Sequence, residues 1–356
     1  MRQKAKIERI SAGKSSFRIK KSPGIIFIAI IIIILLSSCS RKHIIEKRRL
    51  LMDTTFRIRM ETDDSEFAGE LIDSIYNEIE NLEKNIDFYD NESQLYAINN
   101  SVGDTIEVQG HLKSVLDSAF YFRDATDADF DPGIGALSLL WGIPDKGDFV
   151  PSNEMIKTTL VQAALARNSH LEGNSLINTA IIDLGGIAKG YALGIIYQRL
   201  QQYLEKGKID EFLIDAGRSV QGRRPDGSFK IGIAHPRENK ALLATFELPD
   251  RYSCATCGDY ERYFIKDGIR YHHILDPKTG YPAGKSIAAT VIGKSAAGCD
   301  ALSTATFVKG PKKGIEFIEG LKDFDAIVAY IENDKIKIAK TKDFDSRYNV
   351  IYRNET

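Results

Sequence analysis

The residues with the clearest chemical potential lie in the segment 271–282, where two histidines precede a carboxylate and a tight turn. An imidazole titrates near neutral pH, so a histidine at the end of an apolar strand and before a rigid turn is a natural general base. Residues 276–280 supply the turn, because Pro277 fixes φ and Gly280 accepts positive φ. Taken alone, the segment fits equally well a buried histidine in an ordinary strand–turn corner.

A second candidate is a carboxylate and a hydroxyl four positions apart, Asp300 and Thr304, within a run of small residues over 296–307. Helical geometry places the two side chains on the same face. Mg²⁺ prefers oxygen ligands and takes only one or two from carboxylates, so the pair is suited to half of a magnesium site. The alternatives are that Asp300 caps a helix and that Thr304 bonds back to a carbonyl.

The third candidate is the segment 181–192, which predicts a short buried strand, a turn at Gly185 and Gly186, and a helix. Such a joint exposes backbone amides at the helix N-terminus, where anions are favoured, and Lys189 adds a mobile positive charge. We therefore expect this segment to bind a ligand that carries phosphate. The segment is neither a Walker loop nor the dinucleotide fingerprint, so a structural turn with a solvated lysine remains open.

The elements that must position these residues mix helices and strands without regular alternation, which predicts the α+β class. Helices are expected over residues 67–82, 154–167 and 187–204, and strands over 212–215, 229–234, 242–248, 287–292 and 326–331. The formal net charge of -1 gives no indication of nucleic-acid binding. No repeat or low-complexity tract divides the chain after about Leu50.

The amino terminus indicates export. Basic residues precede an apolar run over 25–36, which is short for a membrane span but typical of a signal sequence. The run ends in Leu-Ser-Ser-Cys39, which resembles a bacterial lipobox. We therefore expect a lipoprotein signal peptide over 1–38, lipidation of Cys39, a basic tether over 39–49 and a folded domain over 50–356. An uncleaved signal anchor is the alternative, and both place the domain outside the cytoplasm on a membrane.

These blocks together resemble the ApbE family, the periplasmic FAD:protein FMN transferases. The resemblance extends to segment 52–56, to 87–95 with Asn99, to Phe130-Asp131-Pro132 followed by Leu-Trp-Gly at 140–142, and to 255–260. The matches run in one order from about Met52 to Gly310. The resemblance implies a single two-lobed α+β domain with a flavin cleft between the lobes.

The resemblance also implies roles for individual residues. FAD contacts are expected from Met52, Tyr89, Asp129, Phe130, Asp131, Asp183, Lys189 and Ile274. The expected Mg²⁺ ligands are the Gly186 carbonyl, Asp300 and Thr304. His273, rather than His272, is the implied base, and Lys189 is expected to assist catalysis.

The implied reaction is Mg²⁺-dependent transfer of FMN from FAD to a Thr or Ser hydroxyl of an acceptor protein, with release of AMP. The expected acceptors are envelope redox subunits, such as those of the sodium-pumping NADH:quinone oxidoreductase or of Rnf complexes, on the periplasmic side of a bacterial membrane. An FAD pyrophosphatase, in which water replaces the hydroxyl, and a non-enzymatic flavin-binding lipoprotein are the alternatives.

Some positions depart from the family pattern. Asp53 stands where the family has Gly, Cys257 where it has Ser, and Gly194 where it usually has Asp. Arg218 is either exposed or an anion contact. Cys254 and Cys257 are expected to be small buried residues or a non-catalytic disulfide, with a redox pair or half of a zinc site as the alternatives. Cys299 borders the expected metal ligand.

Overall fold

The computed structural model describes residues 42–143, 148–164, 168–225 and 227–353. The expected signal peptide and Cys39 lie outside the described residues. The strands are β1 (His43–Leu51), β2 (Thr54–Thr62), β3 (Thr105–Glu107), β4 (His170–Glu172), β5 (Ser175–Ile177), β6 (Glu211–Ala216), β7 (Ser219–Arg223), β8 (Ser228–Ala234), β9 (Leu242–Pro249), β10 (Ser253–Gly258), β11 (Tyr263–Lys266), β12 (Ile269–His272), β13 (Ala288–Gly293), β14 (Phe324–Glu332), β15 (Lys335–Lys340) and β16 (Ile351–Tyr352). The helices are α1 (Ser65–Ile86), α2 (Gln94–Asn99), α3 (Gly110–Ala125), α4 (Gly135–Trp141), α5 (Asn153–Ala164), α6 (Ala188–Glu205), α7 (Ala296–Lys309), α8 (Pro311–Glu319) and α9 (Phe344–Tyr348).

An eight-stranded antiparallel sheet organises the protein, in the order β1-β2-β6-β7-β10-β13-β14-β15. Side chains alternate between its faces, as the twofold period of a strand requires. On β13, Ala289 and Val291 join the core beneath α1, α3, α6 and α7, whereas Ala288 and Ile292 join a second core with β8, β9 and α9. The central strands are therefore buried on both sides.

The folded unit starts earlier than the sequence predicts. Residues 43–49, expected to be part of a tether, pair with β2 along their whole length as strand β1. Three consecutive basic residues, 47–49, lie on this edge strand, and Lys47 reaches Asp73 of α1 at 2.7 Å. Charged residues on an edge strand block further strand addition, which is why the segment has the composition of a linker.

A smaller apolar cluster forms the second lobe, around Trp141 of α4, Ile156 of α5 and Leu275. The β11–β12 hairpin packs on it, with the rings of Trp141 and Tyr271 stacked 5.6 Å apart. The Trp141 indole donates to the Gly280 carbonyl at 2.8 Å, and Gly280 has φ of 76° in the expected turn. The α+β class and the two-lobed organisation are confirmed.

The predicted helices and strands occur with small shifts at their ends, except at residues 181–184. That segment was expected to be a strand but pairs with none. Instead, the Asn99 side chain donates to the Ile182 carbonyl at 2.9 Å and accepts from the Ile182 amide at 2.8 Å. The Ile181 carbonyl accepts from the Gly135 amide at 3.1 Å, and the Asp183 amide donates to the Pro132 carbonyl at 2.7 Å. A side-chain amide and these two backbone groups thus take the place of a neighbouring strand. The end of the predicted helix 154–167, residues 165–167, lies outside the described residues.

The disulfide alternative for Cys254 and Cys257 is wrong. Both are free thiols, and they are three residues apart on β10, so their side chains point to opposite faces of the sheet. Cys254 belongs to the second core and Cys257 packs on the first. None of the helices in the described part of the chain has the length and hydropathy that a membrane crossing requires.

Candidate active site

A cleft of about 800 Å³ lies where the two lobes meet. Every residue within the described part of the chain that the sequence singled out for catalysis, flavin or metal lines this cleft: Met52, Tyr89, Asp129, Phe130, Asp131, Asp183, Gly186, Lys189, His273, Ile274, Asp300 and Thr304. Segments far apart in the chain thus converge on one cavity.

The glycine turn forms one wall and is held by Asp183. One oxygen of this carboxylate accepts from the Gly185 amide at 2.8 Å, and the other accepts from the Ser138 hydroxyl of α4 at 2.8 Å. Lys189, in the first turn of α6, extends back to the Gly185 carbonyl at 3.3 Å. The turn therefore presents a cation and the N-terminus of α6 together, where an anion is stabilised.

Asp300 joins α7 to the start of α6. Its carboxylate accepts from the Gly190 amide at 3.0 Å and, at 3.4 Å, from the Ser219 hydroxyl. The alternative that Asp300 caps its own helix is wrong, because Ser295 occupies that position and accepts from the Gly298 amide. Burial raises the pKa of the Asp300 carboxyl, and the nearby Lys189 charge opposes the rise.

Thr304 has no hydrogen bond to a carbonyl among the described residues, which removes the second alternative for this pair. The neighbouring residue Ser303 makes a hydrogen bond of this kind instead, since its hydroxyl donates to the Asp300 carbonyl at 2.8 Å. Gly186 lies directly opposite Thr304. A Cβ added to Gly186 would lie 3.6 Å from the Thr304 hydroxyl and 3.0 Å from the Phe130 ring, so only glycine leaves this space open.

The donors at this point are all oxygens: a carboxylate, a hydroxyl and a backbone carbonyl. Mg²⁺ accepts such a set and fills its remaining positions with water or phosphate oxygens. Within the described residues no cluster of three or more His, Cys, Asp or Glu side chains has metal-binding geometry. The residues present therefore fit a hard divalent cation that keeps open positions, and not a zinc site.

His273 lies on the opposite wall, directly after β12. Burial, together with the neighbouring His272 and the charge of Lys189, lowers the pKa of His273 to about 3. Its Nδ1 lies 3.3 Å from the Arg262 carbonyl. A carbonyl only accepts, so Nδ1 carries the proton and Nε2 keeps a free lone pair, as a general base requires.

His272 has a different role. It is buried, its Nε2 lies 3.1 Å from the Ala283 carbonyl, and its Nδ1 accepts from the Ile274 amide at 3.3 Å. Desolvation lowers the pKa of His272 to about 4. Both ring nitrogens thus fix the backbone that leads to His273, and His272 does not line the cleft.

The acidic residues at 129 and 131 act mainly as supports. Asp129 is buried and bridges Lys278, at 3.1 Å, and Lys309. Asp131 caps a short 3₁₀ helix through the Gly133 amide at 2.8 Å. Tyr89, in contrast, is 57% exposed, with its ring edge-on to Phe88. An exposed aromatic in a cleft is suited to stack on a flat heterocycle.

The hairpin between β1 and β2 forms the rim. Met52 and Asp53 both have positive φ, 50° and 58°, which is the geometry of a two-residue hairpin turn. Asp tolerates this conformation, so position 53 does not require glycine. Its carboxylate pairs with Arg262 across the rim at 3.0 Å.

Sequence reasoning missed Glu261. This carboxylate lines the cleft and pairs with Arg218 at 2.7 Å. Burial raises the pKa of Glu261, while the charges of Arg218 and Lys189 oppose the rise. The acid–base pair Glu261-Arg262 directly after the 255–260 block was the available signal. Arg218, left open above, is thus a partner of Glu261 and lies over the Tyr260 ring at 4.6 Å.

Comparison with known proteins agrees with this geometry. A model described as the ApbE family matches residues 52–328. The FAD:protein FMN transferase of Klebsiella pneumoniae (strain 342) is 31% identical over 274 residues, which cover 73% of this chain and 83% of that protein. The Vibrio cholerae serotype O1 protein of the same name is 29% identical over 253 residues, covering 68% and 74%.

Two solved structures are similar to the whole fold. The ApbE protein of Thermotoga maritima superposes with a TM-score of 0.75 at 30% identity, covering 83% of this chain and 97% of that one. The flavinyl transferase ApbE of Pseudomonas stutzeri, in its apo form, gives a TM-score of 0.74 at 27% identity, covering 86% and 96%.

Proposed function

The chain belongs to the ApbE family, and from this premise we propose that it transfers FMN from FAD to a Thr or Ser hydroxyl of an acceptor protein, releasing AMP. One observation carries the proposal. A neutral histidine with a free Nε2 lines the same cleft as an all-oxygen donor set and a helix N-terminus bearing a lysine. These are the groups that an attack on a diphosphate needs.

The diphosphate of FAD would lie against Lys189 and the first amides of α6, because both stabilise negative charge. The Gly186 carbonyl, Asp300 and Thr304 would hold Mg²⁺ beside it. The bound ion would neutralise the diphosphate and make AMP a better leaving group. The buried Asp300 carboxyl gives the site its one full negative charge, since the other two donors are neutral.

His273 would accept the proton of the acceptor hydroxyl through Nε2. The hydroxyl oxygen then forms a bond to the FMN phosphorus, the bond from that phosphorus to the AMP phosphate breaks, and the acceptor carries FMN as a phosphodiester. Before the transfer, the Arg262 carbonyl holds the ring proton on Nδ1, which leaves Nε2 free to accept the new proton. General base catalysis of this kind contributes on the order of 10²–10⁴-fold in rate.

The flavin would use the open part of the cleft. Tyr89 offers an exposed ring for stacking, while Met52 and Ile274 supply apolar surface. Asp183, Asp129 and Asp131 already hold the surrounding loops. Their principal contribution is to shape the walls around the flavin.

The deciding experiment incubates the protein with FAD, Mg²⁺ and a candidate flavinylation peptide, then measures the peptide mass and AMP. Peptide adduct with AMP supports transfer, free FMN with AMP would indicate a pyrophosphatase, and unchanged FAD would indicate a binding protein. His273→Ala should lower transfer by about 10²–10⁴-fold. His111→Ala, at an exposed position outside the cleft, is the matched control.

The metal set has its own test. Asp300→Asn keeps an oxygen that can accept from the Gly190 amide, and Thr304→Val keeps the shape of the side chain while removing the hydroxyl. Both should raise the Mg²⁺ concentration needed for half-maximal transfer with little change in unfolding temperature. Equal Mg²⁺ dependence in wild type and both variants would remove these residues from the site.

We also propose that lipidation of Cys39 holds the protein at the periplasmic side of a bacterial membrane, where envelope redox subunits are the acceptors. The lipobox-like Leu-Ser-Ser-Cys39 supports this. Metabolic labelling with a fatty acid should mark the wild type and not Cys39→Ser. Label retained in the variant would exclude this cysteine as the anchor.

A further inference from the structure

A second, smaller pocket of about 220 Å³ lies behind the β11–β12 hairpin, on the side of His272 away from the cleft. We define this side pocket by Arg237, Asp259, Arg270, His272, Lys285 and Ser286, none of which lines the cleft. Its volume is several times the roughly 30 Å³ that a water molecule occupies in the liquid. It therefore has space for a small polyatomic ion.

The side pocket carries excess positive charge. Arg237, Arg270 and Lys285 face one carboxylate, Asp259, which leaves two positive charges over. Arg237 is committed to that carboxylate through two bonds of 2.7 Å. Within the described residues, Arg270 and Lys285 have no carboxylate partner, whereas most arginines near the cleft do. Two cationic donors thus remain available.

Arg270 is held in position without being neutralised. Its guanidinium lies 3.7 Å from the centre of the Tyr263 ring and donates, at 3.5 Å, to the Asp259 backbone carbonyl. A preorganised guanidinium loses little freedom when it binds an oxyanion, and its planar fork matches such a partner.

Ser286 supplies an independent sign of a ligand. Its side chain is only 3% exposed, and its hydroxyl has no hydrogen-bond partner among the described residues. An unpaired buried hydroxyl is costly, because it has lost water without gaining a partner. A ligand oxygen in the side pocket would satisfy it.

We propose that the side pocket binds a small oxyanion of the phosphate class, held by Arg270, Lys285 and the Ser286 hydroxyl. Net positive charge selects the anion, the guanidinium and the ammonium supply charge-assisted donors, and the hydroxyl adds a neutral one. The buried His272, the last residue of β12, also lines the side pocket. The proposal is independent of flavin transfer, because no residue of the side pocket belongs to the proposed catalytic set.

The test titrates the full-length protein with inorganic phosphate at constant ionic strength, followed by ³¹P line broadening. Lys285→Gln and Ser286→Ala should each weaken binding by about tenfold, the loss expected for one hydrogen bond to a charged group. Lys208→Gln removes an equal charge at an exposed position after α6 and should leave binding unchanged. Ser286→Ala removes no charge, so its effect separates a built site from general electrostatic attraction.

A cleft variant distinguishes the two cavities. Lys189→Gln should remove phosphate bound in the cleft and impair flavin transfer, while binding in the side pocket remains. The side-pocket variants should weaken that remaining binding and leave flavin transfer unchanged. Binding lost in Lys189→Gln but kept in Lys285→Gln would place the anion in the cleft and overturn the proposal. Absence of saturable binding in the wild type would overturn it equally.

Discussion

Two glycines one turn apart on α6 should respond in opposite directions to the same substitution. A Cβ added at Gly194 would meet no atom within 4 Å, so Gly194→Ala adds helix propensity without a clash. We expect a stabilisation of about 1 kcal/mol. The departure from the family's usual Asp at this position thus has no packing reason among the described residues.

Gly190 is the contrary case. A Cβ there would lie 2.4 Å from the Ala296 carbonyl oxygen and 2.8 Å from Ala297 Cα. Both are backbone atoms of α7, so no side-chain rotation relieves the clash. Overpacking costs up to about 3 kcal/mol, and subtracting the propensity gain of about 1 kcal/mol leaves a net loss of about 2 kcal/mol. Separation of the helices would also break the Gly190–Asp300 bond.

Urea unfolding of both variants, with flavin transfer measured in parallel, checks the pair. Gly194→Ala should raise the unfolding midpoint with normal transfer. Gly190→Ala should lower both the midpoint and the rate, and should raise the Mg²⁺ requirement. A shift of both variants in the same direction would refute the close contact between α6 and α7.

Three further outcomes follow from the contacts described. The pKa values of His272 and His273 are lowered to about 4 and 3, below the value near 6.5 of an unfolded chain. Between about pH 4 and 6.5 the unfolded chain therefore binds more protons than the folded protein, and the free energy of unfolding should fall as the pH drops through this range. Urea midpoints measured across the range give the pH dependence, which His272→Gln should reduce. Burial raises the pKa of the Cys254 and Cys299 thiols, so in a Cys39→Ser background a thiol reagent should modify neither of them in the folded protein. After unfolding it should modify both of them and Cys257, with or without reductant. A lower titre without reductant would contradict the free thiols. Trp141→Phe leaves the buried Gly280 carbonyl without its indole donor. Urea unfolding should show a loss of about 1–3 kcal/mol in the free energy of unfolding. An unchanged urea midpoint would show that this hydrogen bond does not stabilise the turn at Gly280.

Local sequence patterns located the histidine turn, the Asp300–Thr304 pair and the glycine turn, and the resemblance to the ApbE family supplied the other predicted cleft residues. Gly185 and Gly186 before a helix, and Asp300 and Thr304 one turn apart, have geometry that local rules determine. The α+β class followed equally from apolar periodicity, since the strands 212–215 and 287–292 are apolar and short.

The failures arise where a distant partner decides the structure. Residues 43–49 have the composition of a linker, and only pairing with β2 makes them a strand. Residues 181–184 have the composition of a strand, yet the backbone of Ile182 is paired with the Asn99 side chain of α2, and its two neighbours bond to the backbone of Gly135 and Pro132. The raised pKa of Glu261 depends on its burial in the cleft beside Arg218 and Asp300, which are distant in the chain.

The Asn99 amide has a mechanical consequence for the cleft. It clamps the backbone of Ile182, and Ser93 at the other end of the same short helix donates to the Asp87 carbonyl, beside Tyr89. The wall formed by the glycine turn and the wall that carries Tyr89 are thereby linked through α2, which is about one and a half helical turns long. A ligand that moves one wall must therefore also move the other. Amide hydrogen exchange at Ile182 and at Tyr89 should slow together when a ligand fills the cleft.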